Sequence, residues 1–182
     1  GLNGDQYTYW GTDDASNTMI MFQTNKEKPI YYNQSGLLLI GLNDVGEMEY
    51  YIQTILENED DNQENYLLST ELEAALFLYN NTTELSPGDE ITVDLGFHGL
   101  TALPNGSQVL APTWKVTIND NRNYFIHAIE GLLLPRDDNS FLRDTIGSIL
   151  DNLPVTEDNE FIEDIKTSLT ERMNEQQVGV EK

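Results

Sequence analysis

Thr113-Trp114-Lys115-Val116-Thr117-Ile118, then Asn119-Asp120-Asn121-Arg122-Asn123, then Tyr124-Phe125-Ile126-His127-Ala128-Ile129, reads as a β-hairpin around which the chain is organised. Trp114, Val116 and Ile118 alternate with Lys115 and Thr117, the period of two of a half-buried strand. The five residues that follow are polar, and Asn and Asp tolerate left-handed backbone angles. The second arm is largely apolar on both faces and is expected to be a central strand, covered on both sides. Gly131 permits a bend, Leu132-Leu133-Leu134 continues, and Pro135 stops the ladder.

Working outward towards the start, Asp5–Trp10, Thr18–Thr24, Ile30–Tyr32, Leu37–Leu42 and Glu47–Leu56 are strand candidates. They are separated by Asp13–Asn17, Lys28-Pro29, Asn33–Gly36 and Asn43–Gly46. After the acidic stretch Glu57–Glu64, Thr70 and Glu73 have the spacing of a capping box and predict a helix over about 70–81. Leu72, Ala75, Leu76 and Tyr79 form an apolar stripe, widened by Phe77 and Leu78, with which the helix is expected to lie across the sheet. Ser86–Asp89 is a turn. Ile91, Val93, Leu95 and Phe97 predict a further strand, and Pro104–Ser107 turns back to the hairpin.

Beyond Pro135, Asn139 or Ser140 is a candidate cap for a helix carrying Leu142, Ile146, Ile149, Leu150 and Leu153, ended by Pro154. Thr156, with Glu157 and Asp158 in the first turn, starts a second helix with Phe161, Ile162, Ile165, Leu169 and Met173 as its stripe. The expected fold class is α+β, an antiparallel meander with one embedded helix and a C-terminal helical hairpin. The expected organisation is an α+β domain over 1–135, a two-helix appendage over 136–175 and a disordered tail over 176–182. The two stripes of the hairpin are expected to meet and to cover one face of the sheet, or to pair with the same hairpin of a second chain as a homodimer.

Composition excludes several functions. Thirty-two acidic and nine basic residues give a formal charge of −23. Such a surface repels nucleic acid and anionic lipid, because both are bound through Lys and Arg. The absence of cysteine excludes a disulfide scaffold, a thiol nucleophile and Cys-ligated zinc. No apolar run reaches the length of a membrane helix, and no signal peptide opens the chain. The expectation is a soluble portion of a protein whose anchor or signal lies elsewhere.

Motifs for catalysis are missing: there is no GxSxG, HExxH, Walker A loop or dinucleotide fingerprint. His98 and His127 are isolated on strands, and no spacing supports a triad of Asp94, His98 and Ser107. Asp13-Asp14, Glu57–Glu64 and Asp137-Asp138 offer oxygen ligands, but none follows the twelve-residue calcium loop. No catalytic, cofactor-binding or metal-ligating residue is assigned, and no cofactor is expected. Asn33-Gln34-Ser35 and Asn105-Gly106-Ser107 match the short glycosylation pattern. Tyr9, Trp10, Tyr31-Tyr32 and Tyr50-Tyr51 could line an aromatic groove, the basis of a rival reading as a cell-envelope ligand-binding module.

Several runs resemble the YycI proteins of low-GC Gram-positive bacteria. They are Phe22-Gln23-Thr24, Lys28–Asn33, Gly36, Leu42-Asn43-Asp44, Gln53-Thr54, Leu78-Tyr79-Asn80, Leu95-Gly96-Phe97, Val109–Val116 and Tyr124-Phe125 through Ala128–Gly131. The resemblance covers roughly residues 3–134. It implies strongly curved antiparallel sheets and a non-enzymatic extracytoplasmic domain, anchored by one N-terminal transmembrane helix that this chain lacks. It also implies that, with a YycH-like protein, the domain modulates the WalK/YycG sensor histidine kinase of a two-component system for cell-wall homeostasis. The helices beyond Pro135 exceed the usual family ending. The signal sensed and the partner-binding residues stay unassigned.

Overall fold

A computed structural model describes residues 3–57, 66–102, 107–134, 138–152 and 160–179. Its elements are a 3₁₀ turn Gly4–Gln6, strands β1 Tyr7–Asp13, β2 Thr18–Asn25, β3 Lys28–Tyr31, β4 Leu37–Leu42 and β5 Met48–Gln53, helix α1 Glu71–Asn81, strands β6 Ile91–Ala102, β7 Gln108–Ile118, β8 Arg122–His127 and β9 Leu133–Leu134, and helices α2 Asp138–Asn152 and α3 Glu160–Gly179. The fold is α+β: mixed but mainly antiparallel sheet, one embedded helix and a C-terminal helix pair.

The chain forms two compact units interleaved in sequence. The first comprises Gly1–Gln6, Gln23–Asn33 and Leu56–Arg136; the second comprises Tyr7–Phe22, Gln34–Ile55 and Asp137–Lys182.

In the first unit, the β7–β8 hairpin lies at the centre of the sheet. Trp114 faces Ile126 and Val116 faces Tyr124 across the ladder. β6 pairs antiparallel with the other edge of β7, and β9 pairs with β8, so β8 is a central strand, as its two apolar faces require. The loop is shorter than the polar run suggests: β8 begins at Arg122, opposite Ile118. Asn119 and Asp120 take the left-handed angles.

One face of this sheet holds a core of Trp114, Val116, Ile118, Ile126 and Ala128 with Ala74 and Leu78 of α1; Phe77, Val93, Leu95 and Tyr124 pack around it. Thr70 caps α1, and the capping box with Glu73 closes in both directions. The helix lies on the sheet, but on a different stripe from the one anticipated. Ala74 and Leu78 are buried, while Leu72, Leu76 and Tyr79 are exposed. At roughly 100° per residue these two sets lie on nearly opposite sides of the helix, so periodicity alone admits either. The choice is made just ahead of the cap. The Ser69 amide donates to the Ala128 carbonyl at 2.8 Å, and the Trp114 indole N–H donates to the Ser69 carbonyl at 3.1 Å. These bonds set the rotation of the first turn, and the small Ala74 allows close approach.

Two breaks fall elsewhere than expected. Lys28-Pro29 does not interrupt the strands. The turn is Lys26-Glu27, both at positive φ, and Lys28 and Pro29 open β3 opposite Asn25 and Thr24. Proline is tolerated there because the first residues of a strand need not donate to the ladder. β3 then pairs parallel with β6, Ile30 opposite Phe97 and Tyr31 opposite His98, so the pairing departs from a plain meander at this strand.

In the second unit β2 pairs antiparallel with β4 and β4 antiparallel with β5, and β1 is hydrogen-bonded to β2. Glu47–Leu56 is thus strand over Met48–Gln53, as its Tyr and Ile content predicts. Asn43 builds the intervening turn: its side-chain oxygen accepts from the Val45 and Glu47 amides at 3.1 and 2.8 Å, and Gly46 supplies the positive φ. Leu142 and Ile146 of α2 and Leu169 of α3 are buried, and the Phe141 ring meets Phe22 of β2 edge-on at 6.0 Å. Within this unit α2 therefore packs on the sheet, and both helices bury part of their stripes.

α2 starts at Asp138, which places Asn139 and Ser140 inside its first turn and not at its cap. α3 runs to Gly179, so the expected tail is helical over 176–179. Pro104, Pro135, Leu153, Pro154 and Thr156–Asp158 lie outside the described residues, as do the side chains of Phe161, Ile162 and Ile165.

Candidate interaction surfaces

The polar residues singled out for chemistry are tied into the framework. His127 is buried, and its Nδ1 accepts from the amides of Ile129 and Glu130 at 3.3 and 3.2 Å. The proton of the neutral ring therefore sits on Nε2. The His127 carbonyl accepts from the Gly131 amide at 2.9 Å, and Gly131 has φ +64°. The residue is the keystone of the tight turn that leads to β9.

His98 lies opposite Ala111 on β6, with Nδ1 3.3 Å from the Tyr31 carbonyl oxygen. Asp94 precedes it by four residues on the same strand, about 13 Å away at 3.3 Å per residue, and forms an ion pair with Lys115 at 3.2 Å. Asp94 and His98 are thus too far apart for a relay, and with them the imagined triad with Ser107 fails.

Asp13 is also a turn former. Its carboxylate accepts from the Ser16 amide at 2.7 Å and from the Ser16 hydroxyl, which closes the loop between β1 and β2. Among the described residues, no group of three or more His, Asp or Glu is placed to hold a metal ion. Most of Glu57–Glu64, together with Asp137 and the side chain of Asp138, lies outside them. Asn33 is buried and donates to Gln108 at 2.6 Å, so Asn33-Gln34-Ser35 does not present an accessible glycan acceptor. Asn105-Gly106 lies outside the described residues.

The tyrosines fall in both units. Tyr31 is buried in the first unit, its ring 5.0 Å from Phe125, and Tyr32 meets the same Phe125 at 5.4 Å. Burial, with the Asp94 carboxylate nearby, pushes the Tyr31 phenol up, so it stays protonated at neutral pH. Tyr50 and Tyr51 are neighbours on β5 in the second unit and therefore point to opposite faces, with Tyr50 over Gly41 and Tyr51 exposed. Tyr50 and Tyr51 therefore do not line one groove together.

Several residues that stood out in the sequence serve as clamps. The Gln23 side chain donates to the Leu56 carbonyl at 2.9 Å and accepts from the Leu56 amide at 2.8 Å, so it stands in for a strand partner. The Thr54 hydroxyl donates to the Gln34 carbonyl at 2.7 Å, and its carbonyl accepts from the Tyr7 phenol at 2.5 Å.

Exposed apolar side chains are what the described surface offers. On the first unit they include Leu67, Leu72, Leu76 and Tyr79, and Ile129, Leu132 and Leu133 around β9; on the second they are Tyr9, Val45, Met48, Tyr51 and Ile55. The helical periodicity of Leu72, Leu76 and Tyr79 was visible in sequence, but its outward direction was not. No helix among the described residues is long and apolar enough to cross a membrane.

Comparison with protein-family models gives a match over residues 2–129 to the family described as YycI protein. No curated protein matches the chain at a significant level.

Proposed function

Because the chain belongs to the YycI family, we propose that it is a regulatory, non-enzymatic domain of two-component sensing. It works on the outer side of the cytoplasmic membrane and modulates a cell-wall-sensing histidine kinase of the WalK/YycG type, together with a YycH-like protein, by direct contact. The observation that carries this reading is the family match over most of the chain. Two features of the molecule support it. Among the described residues, His127, Asp94 and Asp13 are engaged in turns and ladders. The surface, in turn, presents large apolar side chains of the kind that protein partners cover.

The test is affinity capture of the intact parent protein from membranes of its own cells after brief cross-linking. A YycH-like protein or the kinase is expected among the captured proteins, at levels above those with an unrelated membrane protein of similar charge. Recovery of neither overturns the proposal.

A further inference from the structure

The outward stripe of α1 differs from the other exposed apolar residues in its regularity and its electrostatic setting. Leu72, Leu76 and Tyr79 are 68%, 49% and 56% exposed, and Leu67, just ahead of the cap, is 93% exposed. They follow the i, i+4, i+7 spacing of a helix that recognises another helix. Opposite them, Ala74 and Leu78 fix the helix to the sheet, so the stripe is carried on a rigid element.

The sequence around the stripe is acidic, and the cation met just beyond α1, Arg122, is paired with Glu84 at 2.8 Å. From Glu57 to Glu90 the chain has ten acidic residues and no Lys, Arg or His, and from Pro29 to Trp114 it has no Lys or Arg at all. The charged residues of α1 itself are Glu71 and Glu73. A second copy of this face would bring like charges together, and an anionic bilayer would be repelled for the same reason.

We propose that the Leu72/Leu76/Tyr79 face of α1 docks a cationic amphipathic helix of a partner protein, one whose apolar anchors are flanked by Lys or Arg. The inference deepens the regulatory reading and rests on it for biological meaning, but the surface is measurable by itself.

The test uses the full 182-residue chain and two synthetic amphipathic helical peptides, one of leucine and lysine and one of leucine and glutamate, with binding measured by calorimetry. The leucine–lysine peptide is expected to bind and the leucine–glutamate peptide is not. The L72Q/L76Q/Y79Q variant keeps the net charge and a good helix former at each position, and it should weaken binding by at least about tenfold with its melting curve little changed. M48Q/Y51Q, which removes exposed apolar side chains from β5, should bind like the wild type. Equal binding by both variants would mean unspecific attraction to an acidic protein and overturns the proposal, as does absence of binding. Concentration-dependent dimerisation lost in the α1 variant also overturns it, in favour of a second copy as occupant. Peptide binding at α1 without capture of kinase or YycH-like protein from cells would leave the surface standing and remove the regulatory reading. Capture from cells undiminished by the α1 variant would remove the surface alone.

Discussion

At the scale of single residues, two glycines make opposite demands. Gly96 lies on β6 under the Tyr31 ring; a Cβ there would overlap that ring and come within 2.8 Å of the Pro29 carbonyl oxygen. The obstacle includes backbone, which cannot swing aside as a flexible side chain can. Gly96→Ala is therefore expected to destabilise the protein by about 1–3 kcal/mol, the usual cost of overpacking a core. Gly147 lies within α2 with nothing within 4 Å of a Cβ and without a positive φ. Gly147→Ala is expected to stabilise by about 0.5–1 kcal/mol, because glycine loses more backbone freedom on entering a helix. Urea denaturation of the two variants reads both signs at once, and a neutral Gly96→Ala would show that β3 can move away from β6. Neither role was legible in sequence. Gly96 sits in an alternating strand pattern, and only the parallel pairing of β3 with β6 brings Tyr31 above it. That His127 lies on a strand was legible, but the two amides it serves were not, because they depend on a turn closed by Gly131.

At the scale of elements, local signals were read well and choices between faces were not. The α1 cap is a purely local motif, and both of its hydrogen bonds are present, Thr70 amide to Glu73 Oε2 at 2.7 Å and Glu73 amide to Thr70 Oγ1 at 3.2 Å. The side of α1 that meets the sheet depends on Trp114 and Ser69, 45 residues apart, and no window of sequence contains that contact. The same holds for the turn at Lys26-Glu27, where the two residues that take positive φ are neither glycine nor asparagine. Thr70→Ala should cost about 1 kcal/mol, roughly 2–4 °C in Tm for a chain of this length. The partner carboxylate adds a pH dependence. Hydrogen bonds from the Thr70 amide and hydroxyl hold the Glu73 carboxyl below the usual carboxylate range. A folded-state value below the unfolded one contributes stability that is full above the unfolded value, roughly 4.3, and is lost as pH falls through the lowered value. The Tm gap between wild type and Glu73→Ala should thus be constant from neutral pH to about 5 and close below about 4. A gap that persists unchanged into acid would show that the carboxylate charge plays no part in the cap.

For the whole molecule the dominant fact is a formal charge of −23 spread over a chain with nine basic residues. The ion pairs of Lys115 with Asp94, Arg122 with Glu84 and Lys166 with Glu163 each involve an acidic partner at least half exposed. Pairs of this kind contribute roughly 0–1 kcal/mol apiece. Self-repulsion among the unmatched carboxylates acts on the compact state more than on the expanded one, since unfolding increases the distance between charges. Salt weakens both, with opposite consequences for stability. Raising NaCl from about 10 to about 150 mM shortens the screening length from about 30 to about 8 Å. That change weakens exposed ion pairs and long-range repulsion alike, and with this imbalance of charge the repulsion outweighs the pairs. Tm at neutral pH should therefore rise over that interval by about 2–5 °C, on the order of 1 kcal/mol. The same screening would weaken the docking of a cationic helix on α1, so stability and partner affinity should move in opposite directions along one salt titration. A protein held together by its ion pairs would instead lose stability as salt is added. A falling Tm in calorimetric scans would mean that the local pairs and caps outweigh the net charge, and it would remove the electrostatic ground on which a cationic partner is preferred to a second copy of this chain.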